Sequence, residues 1–314
     1  MFRKHAEADG SMTFARFMEL ALYHPELGYY RQKRQRVGQG PGTDFFTAST
    51  SGPIFGELVS AACVQLLGPG LSAKDYTFVE IGAENQLGVL RAVSHPFAES
   101  RVVSLGEDAG LRGRCVVFSN ELFDAQPFHR FLFRENRWRE IGVALNGNVF
   151  IERELPSATA APLPLDSDEG YRMDLSLAAT ALADQLSAPG WSGLFVACDY
   201  GKSWRELIEA TPQGTARAYH RHVQSNSLLA QPGDQDLTCH VCWDWLAASL
   251  ERNGFPSPSV DSQESFFIHH AADLIARTTV AEAAHFSPRK LSLLHLLHPG
   301  NLGQKFQVLH ARRD

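Results

Sequence analysis

Long apolar runs are missing from this sequence. No stretch approaches the roughly 20 apolar residues of a membrane span, and the opening MFRKHAEADGSM holds no apolar segment of the secretory kind. The expectation is a cytoplasmic protein with no membrane partner. Cysteine is scarce as well: five residues, an odd number scattered along 314, make no disulfide framework and fit a reducing compartment. An overall basic field is absent, since the net charge is -6 and the pI is near 6.1, so nucleic acid is not expected as a partner. No internal repeat and no heptad run is found. What is present, 44% apolar and 20% charged residues, describes a soluble globular chain able to bury a large core.

The pattern along the chain is α/β. TFARFMELALYHPELGYY spaces Phe14, Phe17, Met18, Ala21 and Leu22 at helical intervals and breaks at Pro25 and Gly28. A glycine-rich loop with a basic half, RQKRQRVGQGPGTDFFT, follows and reads as a solvated loop. PIFGELVSAACVQLLG predicts an apolar helix with Pro53 in its first turn and Gly68 past its end. YTFVEIG, RVVSLG, CVVFSNE and GLFVACDYG are short and almost continuously apolar, as expected for parallel strands covered on both faces. YRMDLSLAATALADQL and DWLAASLERNG predict further helices, and the closing FQVLHARRD predicts a strand at the sheet edge. The expected organisation is an N-terminal helix and loop segment over residues 1–70 and a core over 71–314. A helical and β lobe is inserted in that core at about 151–190 and 202–290.

Two short stretches carry the chemistry. FVEIGAENQLGVL starts as a strand and turn of the nucleotide-binding kind, with Glu80 and Gly82 in place. SNELFDAQP follows the strand CVVF, so Asn120, Glu121 and Asp124 fall at a strand's carboxyl end, where open α/β sheets bind ligands. Glu121 and Asp124, three apart, share a face if this turn is helical. Arginine stays protonated and presents forked donors that match carboxylates, so two acids there suit a guanidinium; the other reading is a plain helix start. Asp199 in ACDYG either lines the same cleft or forms a turn with Gly201. CHVC at Cys239 to Cys242 has zinc-type spacing but no second cysteine pair, so no metal is expected, and the isolated His129 reads as a packing or hydrogen-bonding residue.

Taken together, FARFMELALYHPELGYY, GTDFFTA with FGEL, VEIG, SNELFDAQPFHRF, DYG, GTARAYHRH with PGDQDLTCHV, and LLHPGNLGQKFQVL resemble the MidA-like methyltransferase family. That family includes the mitochondrial complex I assembly methyltransferase. The resemblance runs from about Phe14 to the last strand. It implies a Rossmann-like fold that binds S-adenosylmethionine and methylates arginine of a partner protein. It also implies that Asp44, Thr47, Glu80, Gly82, Ala83 and Glu107 hold the cofactor, and that Asn120, Glu121, Asp124 and Asp199 face the acceptor.

The chain departs from the family pattern in three places. Glu84 and Gln86 stand where glycines are expected, and a Cβ held in a glycine-type conformation costs of order 1 to 3 kcal/mol, roughly five- to a hundredfold in affinity. Gly106 stands where the ribose-binding acid belongs, leaving Glu107 or Asp108 to replace it or to serve only as turn acids. Between GLRGRC and VVFSNE there is no room for the usual helix and third strand, so the edge strand is expected to be missing. The alternative is therefore a family member that has lost its cofactor and serves as a protein-binding scaffold or assembly factor.

Overall fold

The computed structural model describes residues 1–32, 51–83, 87–283 and 287–314. In chain order the elements are β1 (Ser11–Thr13), α1 (Phe14–Tyr23), α2 (Pro53–Leu67), β2 (Thr77–Ile81), β3 (Glu99–Val103), β4 (Gly113–Asn120), β5 (His129–Arg134), β6 (Arg137–Asn146), β7 (Val149–Glu154) and β8 (Arg172–Leu175). They continue with α3 (Leu177–Ser187), β9 (Trp191–Asp199), β10 (Gly201–Lys202), α4 (Trp204–Glu209), β11 (Arg217–His220), β12 (Val223–Ser225), β13 (Asp236–Thr238), β14 (Val241–Cys242) and α5 (Trp243–Arg252). The last are β15 (Ser259–Ser262), α6 (Gln263–His270), α7 (Ala272–Ala281), α8 (Pro288–Leu297) and β16 (Gln307–Arg313).

By its internal contacts the chain forms two compact units. The first comprises Met1–Phe46, Phe123–Leu182 and Gly201–Trp245; the second comprises Thr47–Leu122, Ala183–Tyr200 and Leu246–Asp314. This division cuts across the expected boundary at residue 70, because α2 packs with the second unit while α1 packs in the first.

The second unit is built on a six-stranded sheet of order β15-β16-β9-β4-β2-β3. β3, β2, β4 and β9 are parallel, and β16 and β15 run antiparallel. β4 shows why continuous apolar runs belong in such a sheet: Cys115 to Ser119 are all buried, so both of its faces are covered. α2, with Pro53 in its first turn and Gly68 as its cap, packs Phe55, Leu58, Val59 and Ala62 into the same core as Phe78, Phe118, Val196 and Val308. β3 is the edge among the described residues, and Ser104 to Arg112 contain neither helix nor strand. Among the described residues no strand pairs beyond β3, in line with the expected loss of an edge strand. The closing strand differs from expectation: β16 lies inside the sheet, between β9 and β15, because the segment before α6 pairs outside it.

The first unit centres on an antiparallel sheet of order β1-β6-β5-β8 with β7 beside β6. Thr13 caps α1 by accepting the Arg16 N–H at 3.1 Å, and the predicted helical stripe of Phe14, Phe17, Met18, Ala21 and Leu22 is buried. The helix expected from Tyr171 begins only at Leu177. Residues 172–175 pair with β5 instead, since buried Asp174 is fixed by Arg130 and by the N–H groups of Thr215 and Ala216. Ser176 then accepts the Ala179 N–H at 3.0 Å and starts the helix.

Candidate functional site at the carboxyl edge of the parallel strands

Because β2 and β4 are parallel neighbours, their carboxyl ends meet on one edge of the sheet. β2 ends at Ile81 and the chain turns at Gly82 with φ of 74°. The Gly82 N–H donates to Val103 O at 3.0 Å, tying the turn to the end of β3. A Cβ at Gly82 would stand 2.7 Å from Leu122 Cδ1, in the loop leaving β4. The positive φ favours glycine there, and any Cβ would make the Leu122 side chain shift.

Glu80, one residue before the end of β2, is buried. Its Oε2 accepts the Val89 N–H at 2.7 Å, so the carboxylate is turned onto its own following loop. Burial pushes the Glu80 carboxyl up to about 7, against the Val89 hydrogen bond that lowers it. α2 holds this loop from above: a Cβ on Gly56 would fall 2.1 Å from Val89 O, which gives the glycine of FGEL a steric reason. The described residues from Leu87 to Ala98 form turns and no helix.

At the end of β4, Asn120 Nδ2 donates to Glu121 Oε1 at 3.1 Å, while Asn120 Oδ1 is buried without a hydrogen-bond partner among the described residues. The Glu121 N–H donates to Cys198 O at 3.0 Å, and Glu121 has a φ of 52°. That backbone is left-handed, a strained state for a non-glycine residue. Residues 121–124 are therefore not helical, and the expected shared helical face of Glu121 and Asp124 does not form. Asp199, fully buried at the end of β9, accepts the Leu122 N–H at 3.1 Å and the Tyr200 N–H at 2.9 Å. One carboxylate thus fixes the loops after two adjacent parallel strands.

The other expected residues are found as follows. Asp124 lies in the first unit and is buried; there Tyr23 and Tyr30 have pKa values raised by burial first, then by the charges of Asp236 and Asp124. Glu107, after β3, accepts the Ser104 N–H at 2.9 Å and closes its own turn. Ala83 directly follows Gly82 and is partly exposed. Asp44 and Thr47 lie outside the described residues, as do Glu84 and Gln86. His129 Nδ1 is 2.7 Å from Glu140 Oε1 within the first unit, and Cys239 and Cys242 are buried thiols. Sequence reasoning missed the return of Val89 onto Glu80 and the bridging role of Asp199. Only Gly88 in QLGVL marked the first, and nothing in sequence marked the second.

Residues 68–258 match the model of an S-adenosyl-L-methionine-dependent methyltransferase family. The chain belongs to this methyltransferase family. It is 26% identical to the mitochondrial protein arginine methyltransferase NDUFAF7 of Danio rerio over 98% of this chain and 85% of the relative. To the Homo sapiens protein of the same name it is 23% identical, over 96% of this chain and 80% of the relative. The alignment to the Danio rerio protein spans 376 positions against 314 residues here, so gaps fall in this chain, consistent with the lost strand. A crystal structure of a Burkholderia thailandensis protein bound to S-adenosyl-homocysteine superposes with a TM-score of 0.85 at 26% identity, covering 98% of this chain and 89% of that one. A native structure of a Burkholderia thailandensis protein of the same superfamily gives a TM-score of 0.80 at 25% identity, covering 98% and 88%.

Membership makes the fold that of a Rossmann-like methyltransferase and S-adenosylmethionine the family's cofactor. The cytoplasmic expectation is overturned, because curated relatives from fish, human and fly are named as mitochondrial proteins. Its basis was the lack of an apolar leader, which speaks only to secretion; mitochondrial transit peptides are amphipathic and arginine-rich rather than apolar. Among the described residues no helix is long and apolar enough to cross a membrane.

Proposed function

We propose that this methyltransferase-family chain acts on an arginine side chain of a partner protein at the carboxyl edge of β2, β4 and β9. One juxtaposition carries the reading: the left-handed Gly82 turn lies against Leu122, directly after Asn120 and Glu121. When bound, S-adenosylmethionine supplies the electrophilic methyl group. The buried, unpartnered Asn120 Oδ1 fits a donor-rich ligand at this edge. Gly82 and Ala83 would hold the cofactor from the β2 side, with Glu107 beyond β3 and with Asp44 and Thr47 from the segment outside the described residues. Glu80 shapes the turn through Val89.

The chain's own residues then do three things. Asn120 Oδ1, once uncovered by movement of its loop, accepts from a guanidinium N–H and sets its orientation. Glu121 balances the guanidinium charge, and its carboxylate holds the proton that a substituted nitrogen sheds. Asp199 acts as a positioning residue, since it fixes the Leu122 N–H and keeps the Asn120 to Leu122 loop in place. Asp124 is assigned to the first unit, where its charge helps keep Tyr23 and Tyr30 protonated. The names of the relatives, protein arginine methyltransferases, support arginine as the acceptor.

A second reading, a partner-binding protein without turnover, is favoured by one observation. Leu87 to Ala98 form no helix, so no helix N-terminus there offers N–H groups to an anionic end of the cofactor, and the Val89 N–H is already given to Glu80. Incubating the chain with methyl-labelled S-adenosylmethionine and arginine-rich protein distinguishes the two. Label on arginine that is lost in Glu121→Gln supports transfer; a folded chain that labels nothing supports the second reading.

A further inference from the structure

Away from this edge, the second unit brings together three residues that are far apart in the chain. Asp261 on β15, His270 at the end of α6 and His310 on β16 each offer one ligand atom, and these atoms all lie within 4.8 Å of one another. We infer that Asp261, His270 and His310 form a binding site for one divalent transition-metal ion of the zinc class. Imidazole with a carboxylate is the donor set such ions take, with three protein ligands leaving a fourth position open.

The fold explains why the three meet. In the β15–β16 pair, Asp261 stands opposite Val308, and His310 lies two residues further along the same strand. The period of two along a strand puts Asp261, Val308 and His310 on one face. β15 runs directly into α6, whose N-cap Ser262 accepts the Ser265 N–H, so the helix folds straight back over that face. His270 follows Phe266 by one helical turn. The Phe266 ring packs 5.2 Å from the His270 ring and 5.3 Å from the His310 ring, holding both imidazoles in place.

One of the three distances already matches a metal site. His310 Nε2 and Asp261 Oδ2 are 3.1 Å apart, close to the edge of about 3.3 Å that a tetrahedron with ligand bonds near 2.0 Å requires. The His310 side chain is 12% exposed and that of Asp261 32%, so the pair sits at the margin of the core. Of the three, His270 also lines a cavity of about 580 Å³, together with Glu57, Ser60 and Asp273. His269, next in the chain, is engaged with Ser265 at 3.2 Å and is not one of the three. A bound ion would clamp α6 to the outer strand pair of the sheet.

The test is titration of the chelator-treated full chain with Zn²⁺, followed by calorimetry and by thermal melting. The expected result is one ion per chain and a higher melting temperature. Affinity should fall at least about tenfold in His270→Ala and in Asp261→Asn, and stay unchanged in His269→Ala. His270 is on the helix side of the cluster, and a melting curve of each apo variant establishes that it is folded. With Co²⁺ in place of zinc, intense visible absorption reports four-coordination. Absence of stoichiometric binding, or binding that both His270→Ala and Asp261→Asn leave intact, overturns the site.

Discussion

The carboxylate of Glu80 accepts the backbone N–H of Val89 at 2.7 Å, closing the loop that leaves the first parallel strand back onto that strand. The acid retained from the nucleotide-binding pattern is therefore an internal fastener of the loop. The same burial that makes this possible raises its pKa to about 7.

That shift sets a pH dependence. In the unfolded chain a glutamate titrates near 4.3, so between roughly pH 4.5 and 7 the folded state holds more protons than the unfolded one. Stability then falls as pH rises through this window and levels above about 7. Glu80→Gln, which is neutral and keeps an acceptor for Val89, is expected to remove the slope. Melting curves at pH 5 and pH 8 check it: the variant should gain stability over the parent at pH 8, by up to about 3 kcal/mol, and little at pH 5. Equal effects at both values contradict the assignment.

α2 presses on the same loop through Gly56. A Cβ there would meet the Val89 carbonyl at 2.1 Å, and backbone on both sides leaves little room to yield. Gly56→Ala should cost about 2 to 4 kcal/mol despite the better helix propensity of alanine. Denaturant unfolding measures this, and a variant as stable as the parent would show that the loop adjusts freely.

Glu121 tests the trade between stability and function. Its φ of 52° suits glycine better, so Glu121→Gly is expected to keep the protein's stability or raise it by up to about 1 kcal/mol. Under the proposed function, transfer to arginine should be abolished, because the carboxylate proposed to face the acceptor is gone. Unfolding curves and a labelled-methyl assay on one preparation read both effects. A marked loss of stability would mean that the bonds of the Glu121 side chain, the one from Asn120 among them, outweigh the strain of its backbone.

How much of this was legible in sequence follows from the range of the forces involved. The parallel strands were readable because burial on both faces writes continuous apolar runs such as CVVF, and the lack of a further strand after β3 was readable because the nine residues before β4 leave no space for an extra helix and strand. Gly82 was readable from local turn chemistry. The helical reading of Glu121 to Asp124 failed because spacing alone does not reveal a left-handed φ at Glu121 or the passage of the chain into a different compact unit at Phe123. The helix read from Tyr171 failed in the same way: Asp174 is claimed by Arg130, 44 residues away in the chain. The meeting of Asp261, His270 and His310 is likewise a product of strand pairing, which local sequence does not disclose.

The most direct test of the account is calorimetric titration of the full chain with S-adenosylmethionine, run beside the Glu84→Gly, Gln86→Gly double variant. The account predicts one cofactor bound per chain, and binding tighter by roughly five- to a hundredfold in the variant, which carries glycines where the family pattern expects them. No heat from either protein at millimolar cofactor, or weaker binding in the variant, would contradict it.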